Sequence, residues 1–202
     1  ERPIYLPAHK ALLSRDGGVC PDDGSRFRFD PFSPDRHQCP RCGRWFEGGR
    51  HHRAWIVRYQ IWLSERSIHL ALLGALNGDP VLGSRSAEIL AAYANRYRDY
   101  PNRDNVLGPT RLFFSTYLES VWLCQVVIAA SLLDAQGFSW PSGARDALRA
   151  MVAESAELIA SFDEGWSNRQ AWNNAAMIGG GRWLDAPELV SRGLDGPHGI
   201  RA

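Results

Sequence analysis

This chain of 202 residues has almost no net charge and few long apolar runs. Its 23 Lys and Arg side chains nearly balance 22 Asp and Glu side chains, which leaves a formal net charge of +1. A near-neutral chain has no broad basic surface, so no nucleic-acid partner is expected. No apolar run approaches the length that a bilayer requires, so no membrane span is expected either.

The sequence also lacks the motifs of several enzyme classes. It has no P-loop, no HExxH and no Ser-His-Asp order, which argues against NTPases, zinc peptidases and serine hydrolases. Asp163 and Glu164 are adjacent and point apart if helical, which ranks a toroid glycoside hydrolase low. The glycines at 179–181 follow no strand and open no helix, so they indicate close helix packing rather than a phosphate site.

Cysteine is scarce too, but three of the four cysteines fall near the N-terminus. The segment CPRCG at 39–43 is a knuckle, whose two-residue gap lets both thiolates face one ion while the glycine permits the turn. The segment CPDDG at 20–24 has the form of a first knuckle that lacks its second cysteine. His37 lies two residues before the intact knuckle and offers a fourth donor.

These donors predict one structural zinc, with all four positions filled by protein and none left open for catalysis. The predicted ligands are Cys20, His37, Cys39 and Cys42. A metal-free loop, or a disulfide in an oxidising compartment, is the alternative, because one intact knuckle is weaker support than two. No organic cofactor is expected.

From His52 onward the apolar residues recur with a helical period. The pattern predicts helices over about 52–76, 84–98, 110–135, 142–162 and 167–184, with a short sixth beginning at about 186–188. The segment before them holds no sustained period, and we expect an irregular chain with a short β-hairpin around the knuckle. The sequence therefore divides into an N-terminal segment, 1–50, and a helical part, 51–202.

The predicted helices differ in the breadth of their apolar faces. Helices one, three and five have broader apolar faces than helices two and four, which favours odd helices inside and even helices outside. This is the pattern of an all-α, incomplete α/α toroid built of antiparallel helix pairs, with a plain helical bundle as the alternative. A closed ring needs more helices, so the toroid is expected to be truncated at the C-terminus.

The stretch GWSNRQAWNNAAMIGGGRWL at 165–184 has an unusual start for a buried helix. Ser167 and Gln170 form a capping-box pattern that predicts a helix beginning here. Amides, an arginine and two tryptophans crowd its first two turns, and the polar residues then give way to alanines and glycines. The crowding raises the question of what these polar groups bind.

Three segments, in this order, carry a resemblance to a known family: DPFSPDRHQCPRCGRWFEGGRHHRAWIVRYQIWLSERSIHLALL, GPTRLFFSTYLESVWL and SNRQAWNNAAMIGGGRWL. Their order and spacing resemble the N-terminal helical region of heparinase II/III-like polysaccharide lyases, including the alginate-lyase branch. The resemblance covers most of residues 20–200.

The resemblance implies an incomplete α/α toroid that is followed by more helices and a large β-sandwich domain. Family members cleave uronate-containing polysaccharides by β-elimination, in which a tyrosine or histidine removes the C5 proton beside the uronate carboxylate. Asparagine, with histidine or arginine, neutralises that carboxylate. The tyrosine usually lies in a later helix, so the catalytic base is expected beyond this chain.

The resemblance assigns the start of the fifth helix to carboxylate neutralisation. Asn173 best matches the neutralising asparagine and is the expected catalytic residue. Asn174 and Asn168 are alternatives for this role, because a small shift in the alignment to the family would exchange them with Asn173. Arg169 and Trp166 precede Asn173 by successive turns, and we expect them to hold the carboxylate and to stack on the sugar ring.

Two further residues complete the expected substrate-binding set: Tyr117 in the third helix and His52 at the lip of the cleft. The expected partners are an acidic polysaccharide or oligosaccharide and the C-terminal remainder of the same protein. Two alternatives stay open. The polar residues of the fifth helix can serve as a cap, and the chain can be a non-catalytic carbohydrate-binding or scaffold domain.

Overall fold

A computed structural model describes residues 4–202 of the chain. Within this range the protein has six α-helices and one two-stranded sheet, which confirms the all-α class. The strands are β1, His37–Gln38, and β2, Trp45–Phe46; the helices are α1, Gly49–Asn77, α2, Pro80–Arg96, α3, Thr116–Ala135, α4, Ala144–Ala160, α5, Asn168–Leu184, and α6, Pro187–Asp195. The strands pair antiparallel around the CPRCG knuckle, so the predicted hairpin is confirmed.

The first two helices are joined by a tight turn. α1 ends at Asn77, and the C-cap residue Gly78 adopts the left-handed conformation with φ 64°. α2 begins at once, because the Asp79 side chain accepts a hydrogen bond from the backbone N–H of Val81 at 2.9 Å and Pro80 occupies the first helical position. The sequence pattern places the second helix at 84, since Asp-Pro is taken as a break rather than as a cap.

The loop before α3 contains apolar residues that the periodicity assigned to the helix. Ser115 caps α3, and its hydroxyl accepts from the N–H of Leu118. The buried carboxylate of Glu119 accepts from the backbone N–H groups of Leu112 and Phe113, at 3.1 Å each. These two residues therefore pack against α3 from outside, and the helix begins six residues later than about 110.

The helices form two rows. α1, α3 and α5 make a first row with α3 in the middle, and α2, α4 and α6 pack along it as a second row. Along the first row, Gln125 of α3 bonds Ser64 of α1, and Gln136 donates to the carbonyl of Ala71 at 3.1 Å. Residue numbers rise together in both helices, so α1 and α3 run parallel.

The same direction continues from α3 to α5. Ser120 of α3 bonds Asn173, and Asp134 at the other end accepts from the indole of Trp183 at 3.0 Å. The second-row helices return antiparallel, as in the pair α1 and α2, where Ser86 bonds Ser67 and the later residue Tyr93 bonds the earlier residue Gln60. All three first-row helices therefore begin at the same end of the molecule.

α3 corrects the expectation about apolar runs. This helix has 20 residues and a mean hydropathy of 1.5, so length and composition alone would let it cross a membrane. Half of that stretch is buried inside the protein, where the helix lies between α1 and α5. The core helix of a folded domain passes the same test, and the expectation of no membrane span stays a prediction.

Three consecutive glycines let α5 pack closely against three neighbours. A Cβ on Gly179 would lie 3.8 Å from Val127 of α3, and one on Gly180 would lie 3.6 Å from Ala156 of α4. A Cβ on Gly181 would lie 2.9 Å from atoms of Ala186, Leu189 and Val190, which is too close for any real side chain. Close helix packing, as the sequence indicates, explains these glycines.

Candidate functional site

The two N-terminal knuckles have the same backbone form. In the first, the N–H of Gly24 donates to the carbonyl of Cys20 at 2.9 Å; in the second, Gly43 donates to Cys39 at 3.0 Å. Both glycines have positive φ, 71° and 72°. The same turn is therefore made twice, and the first side chain of each turn lies beside the fourth side chain of the other.

Four ligand atoms meet between these turns, from Cys20, Asp23, Cys39 and Cys42. All lie within 4.8 Å of one another. The sulfurs of Cys20 and Cys42 are 3.8 Å apart, and Cys39 Sγ is 3.4 Å from Asp23 Oδ2. A tetrahedron with metal–sulfur bonds of about 2.3 Å has sulfur–sulfur edges of about 3.8 Å, so the group fits a bound ion.

Asp23 is a fourth candidate ligand that the cysteine and histidine spacing does not predict. It stands three residues after Cys20, as Cys42 stands three residues after Cys39, and so takes the place of the absent fourth cysteine. A hydrogen bond from the backbone N–H of Ser25 helps lower the pKa of Asp23 below its ordinary value, which favours the carboxylate that a metal needs.

His37 lies outside this group of ligand atoms. Its ring stacks on Phe27, with 6.0 Å between centroids and 3° between planes. Its Nε2 is buried and meets no hydrogen-bond partner in the part of the chain that the structure describes. Of the four predicted ligands, the structure brings together the three cysteines and places His37 in the aromatic packing beside them.

The start of α5 is capped as the capping-box pattern predicts, but only in part. The Ser167 hydroxyl accepts from the N–H of Gln170 at 3.1 Å. The Gln170 side chain does not reach back to Ser167. Its oxygen accepts from the N–H of Glu164 at 2.8 Å, and its nitrogen donates to Asn174 at 2.9 Å. The amide thus ties the preceding loop to the helix.

Glu164 is the centre of the polar groups at this helix start. Its side chain is 1% exposed. One carboxylate oxygen accepts from the Thr116 hydroxyl at 2.9 Å and lies 3.5 Å from the amide nitrogen of Asn173, and the other pairs with Arg169. Three donors from α3 and α5 therefore converge on one carboxylate, which belongs to the protein itself.

Asn173 and Asn174 are both buried. Asn173 has no exposed surface, and its amide oxygen accepts from Ser120 at 2.7 Å. Asn174 donates to the carbonyl of His198 at 2.7 Å and so fixes the C-terminal segment. In contrast, Asn168 is exposed, so the three competing asparagines have three different surroundings.

Trp166 forms an exposed edge beside this cluster. Its side chain is 73% exposed, and its ring meets that of His198 at 5.1 Å and 88°. His198 bonds Asp163 at 2.8 Å, and this bond, with the N–H of Gly165, holds the pKa of Asp163 below its ordinary value. A cavity of about 250 Å³ opens here between α5 and the C-terminal segment.

The other two predicted binding residues lie on other helices. Tyr117 is half-buried in the first turn of α3. His52 lies in α1, where its Nδ1 is 3.0 Å from the carbonyl of Pro34 and its ring stacks on Trp55. The structure therefore brings Arg169 and Asn173 onto one carboxylate, with Trp166 and Asn168 nearby in sequence at the same helix start.

A comparison with models of known protein families and with curated proteins finds no significant match to this chain.

Proposed function

We propose that this chain is the N-terminal toroid part of a polysaccharide lyase that cleaves uronate-containing glycans by β-elimination. The observation that carries the proposal is the convergence of Asn173, Arg169 and Thr116 on a single carboxylate. The resemblance assigns carboxylate neutralisation to this helix start, and the groups found there do bind a carboxylate. In the lyase, the uronate carboxylate takes the place of Glu164.

The helix directions support an acidic ligand at this end. α1, α3 and α5 all begin here, and a helix N-terminus carries about half a positive charge from its unpaired N–H groups. Thr116 is the first residue of α3, and Asn168 is the first of α5. Neutralising the carboxylate stabilises the enolate-like transition state more than the ground state, which raises kcat.

The test uses the full-length protein and measures the ultraviolet absorbance of the unsaturated uronate product. We expect product from an acidic glycan such as alginate or hyaluronan, and none from neutral cellulose oligomers. Trp166→Ala alters an exposed side chain and should lower turnover without unfolding the protein. Trp45→Ala, at another exposed tryptophan in β2, is the matched control. No product from any uronate polymer would sink the proposal.

One observation favours the rival function, a non-catalytic helical carbohydrate-binding or scaffold domain. Glu164 fills the carboxylate position with its side chain 1% exposed, as a purely structural cap would. The two functions differ in what Glu164→Gln does to the full-length protein. Loss of the competing charge should strengthen uronate binding if the site takes substrate, and should only destabilise the fold if Glu164 is a cap.

We also propose that the knuckles hold one structural zinc on Cys20, Asp23, Cys39 and Cys42. Three thiolates and a carboxylate suit zinc, and four protein ligands leave no open position, so the ion stabilises the fold and does no chemistry. The knuckles pack against the start of α1, where the N–H of Gly18 donates to His51 Nδ1 at 3.2 Å and His51 meets Phe27 at 4.9 Å.

Metal analysis of the purified chain tests this proposal. We expect one zinc per chain, and a clear fall in melting temperature after chelation, because a structural zinc contributes folding free energy. Cys39→Ser should abolish zinc binding. Cys124→Ser, which alters the cysteine in α3 away from the knuckles, should leave it unchanged. A metal-free protein whose melting is indifferent to chelators would contradict the proposal.

A further inference from the structure

An aromatic groove of about 360 Å³ runs between the N-terminal segment and the first turns of α1. It shares no lining residue with the α5 cluster or with the four knuckle ligands. Its aromatic side chains come from three parts of the chain that are distant in sequence. The groove is lined chiefly by Tyr5, Phe32, Trp55, Tyr59, Trp62 and Arg85.

The rings leave the groove open. Phe32 is 76% exposed and Tyr5 is 51% exposed, which is unusual for large rings so close to a hydrophobic core. Phe32 meets Trp62 at 6.2 Å and 79°, and Tyr59 meets Trp62 at 5.6 Å and 36°. Trp55 and Tyr59 stack on each other at 4.5 Å and 20°, whereas Trp62 and Phe32 are tilted, so a flat ligand has room beside the Trp62 ring.

Hydrogen bonds to the backbone hold these walls in place. The Tyr59 hydroxyl donates to the carbonyl of Tyr5 at 3.0 Å, and the Trp55 indole donates to the carbonyl of Asp30 at 2.7 Å. The Asp30 side chain in turn accepts from the N–H of Phe32 at 2.9 Å, in a turn that presents the Phe32 ring. The groove is therefore formed before any ligand arrives, which lowers the entropic cost of binding.

We propose that this groove is a second carbohydrate subsite, which binds a pyranose ring of a uronate glycan by stacking on Trp62. Aromatic faces stack on the apolar face of a sugar ring, and polar atoms at the rim reach its hydroxyls. The choice of a uronate rests on the proposed function. The site itself rests on the geometry of the groove.

The charges near the groove favour a sugar over a cation. The Arg66 guanidinium lies over the Trp62 ring at 5.6 Å and pairs with Glu65 at 3.5 Å, and Arg85 lines the groove and pairs with Glu88. A quaternary ammonium ligand, which aromatic cages otherwise suit, would meet these two arginines. A uronate carboxylate is compatible with them.

Indole N–H signals in NMR spectra of the chain test the proposal, with the Trp62 signal assigned by its loss in Trp62→Phe. Adding an oligogalacturonate hexamer should shift this signal. Followed through the Trp55 indole signal, which remains in this variant, Trp62→Ala should raise the dissociation constant about tenfold, which corresponds to ~1.4 kcal/mol. Phe32→Ala should weaken binding in the same direction, and Trp45→Ala should leave it unchanged.

A Trp62 signal that the hexamer leaves in place would overturn the subsite. A shift caused by a decaproline peptide but not by the hexamer would also overturn it and would assign the groove to extended peptides. The outcome is separate from that of the lyase test. Binding at Trp62 without any unsaturated product would contradict only the proposed lyase function. Product formation without a shift of the Trp62 signal would contradict only the proposed subsite.

Discussion

The amide oxygen of Asn173 on α5 accepts a hydrogen bond from the Ser120 hydroxyl on α3, at 2.7 Å, in a place without exposed surface. The other end of the same amide points at Glu164. Asn173 thus joins the parallel helices and faces the carboxylate position at the same time. A structural and a catalytic role are both open to it, and two substitutions separate them.

Asn173→Ala should lower the free energy of unfolding by about 1–3 kcal/mol, because it leaves Ser120 and Glu164 without this partner. Urea unfolding of the chain measures the change, and Asn168→Ala, at an exposed position, should stay within about 0.5 kcal/mol of wild type. In the full-length protein, Asn173→Ala should also reduce kcat by about 100- to 1000-fold.

Ser120→Ala supplies the comparison. It breaks the same hydrogen bond from the α3 side and leaves the amide nitrogen of Asn173 facing Glu164. We expect a similar loss of stability with turnover largely kept. Equal loss of turnover in both variants would show that Asn173 acts only by holding the helices together.

Asp23 and His37 should differ sharply in their effect on metal affinity. Asp23→Ala removes a donor at tetrahedral distance and should weaken zinc binding by at least about tenfold, the lower end of what loss of an outer-shell partner costs. His37→Phe keeps a ring on Phe27 and should leave affinity unchanged. Competition with a chromophoric chelator measures both, and the reverse order of effects would restore His37 as the ligand.

Gly181 and Gly179 should respond oppositely to alanine. Gly181→Ala places a methyl group 2.9 Å from a backbone oxygen of the turn before α6, and such overpacking costs about 1–3 kcal/mol. Gly179→Ala meets only an ordinary contact at 3.8 Å and gains helix propensity of up to ~1 kcal/mol. Thermal unfolding of the two variants compares them, and equal destabilisation would mean that α5 tolerates no added methyl group at all.

Acid should weaken the attachment of the C-terminal segment through Asp163. Its folded pKa lies below the unfolded value because His198 and the N–H of Gly165 bond the carboxylate. The stabilisation is therefore fully present above the unfolded pKa of about 3.9 and is lost as the pH falls through the folded pKa. Asp163→Asn should reduce the fall in melting temperature at acidic pH. An unchanged fall would contradict the assignment.

The sequence predicts the helices well because their apolar periods are long and their caps are local. Ser167 caps α5 where the pattern places it, and the start of α2 is missed only because Asp79 and Pro80 are taken as a break. The start of α3 could not be predicted from periodicity. Leu112 and Phe113 are apolar in sequence, and only the carboxylate of Glu119, which accepts from their N–H groups, shows why they stay outside the helix.

The candidate site was harder to predict than the fold. The three cysteines follow from spacing, whereas Asp23 becomes visible only when the two turns are compared as backbone shapes. Arg169 and Asn173 do share a helix face, as four-residue spacing predicts. The sequence could not show that Glu164 from the preceding loop would occupy the point where that face binds a carboxylate.

The four candidate ligands of the knuckles determine how the net charge of the chain changes when zinc binds. Zinc bound to three cysteines and Asp23 requires the loss of three thiol protons and brings two positive charges. The formal net charge therefore falls by one unit on loading, from +1 to zero. Isoelectric focusing would separate the two forms, and the loaded chain would have its lowest solubility near neutral pH.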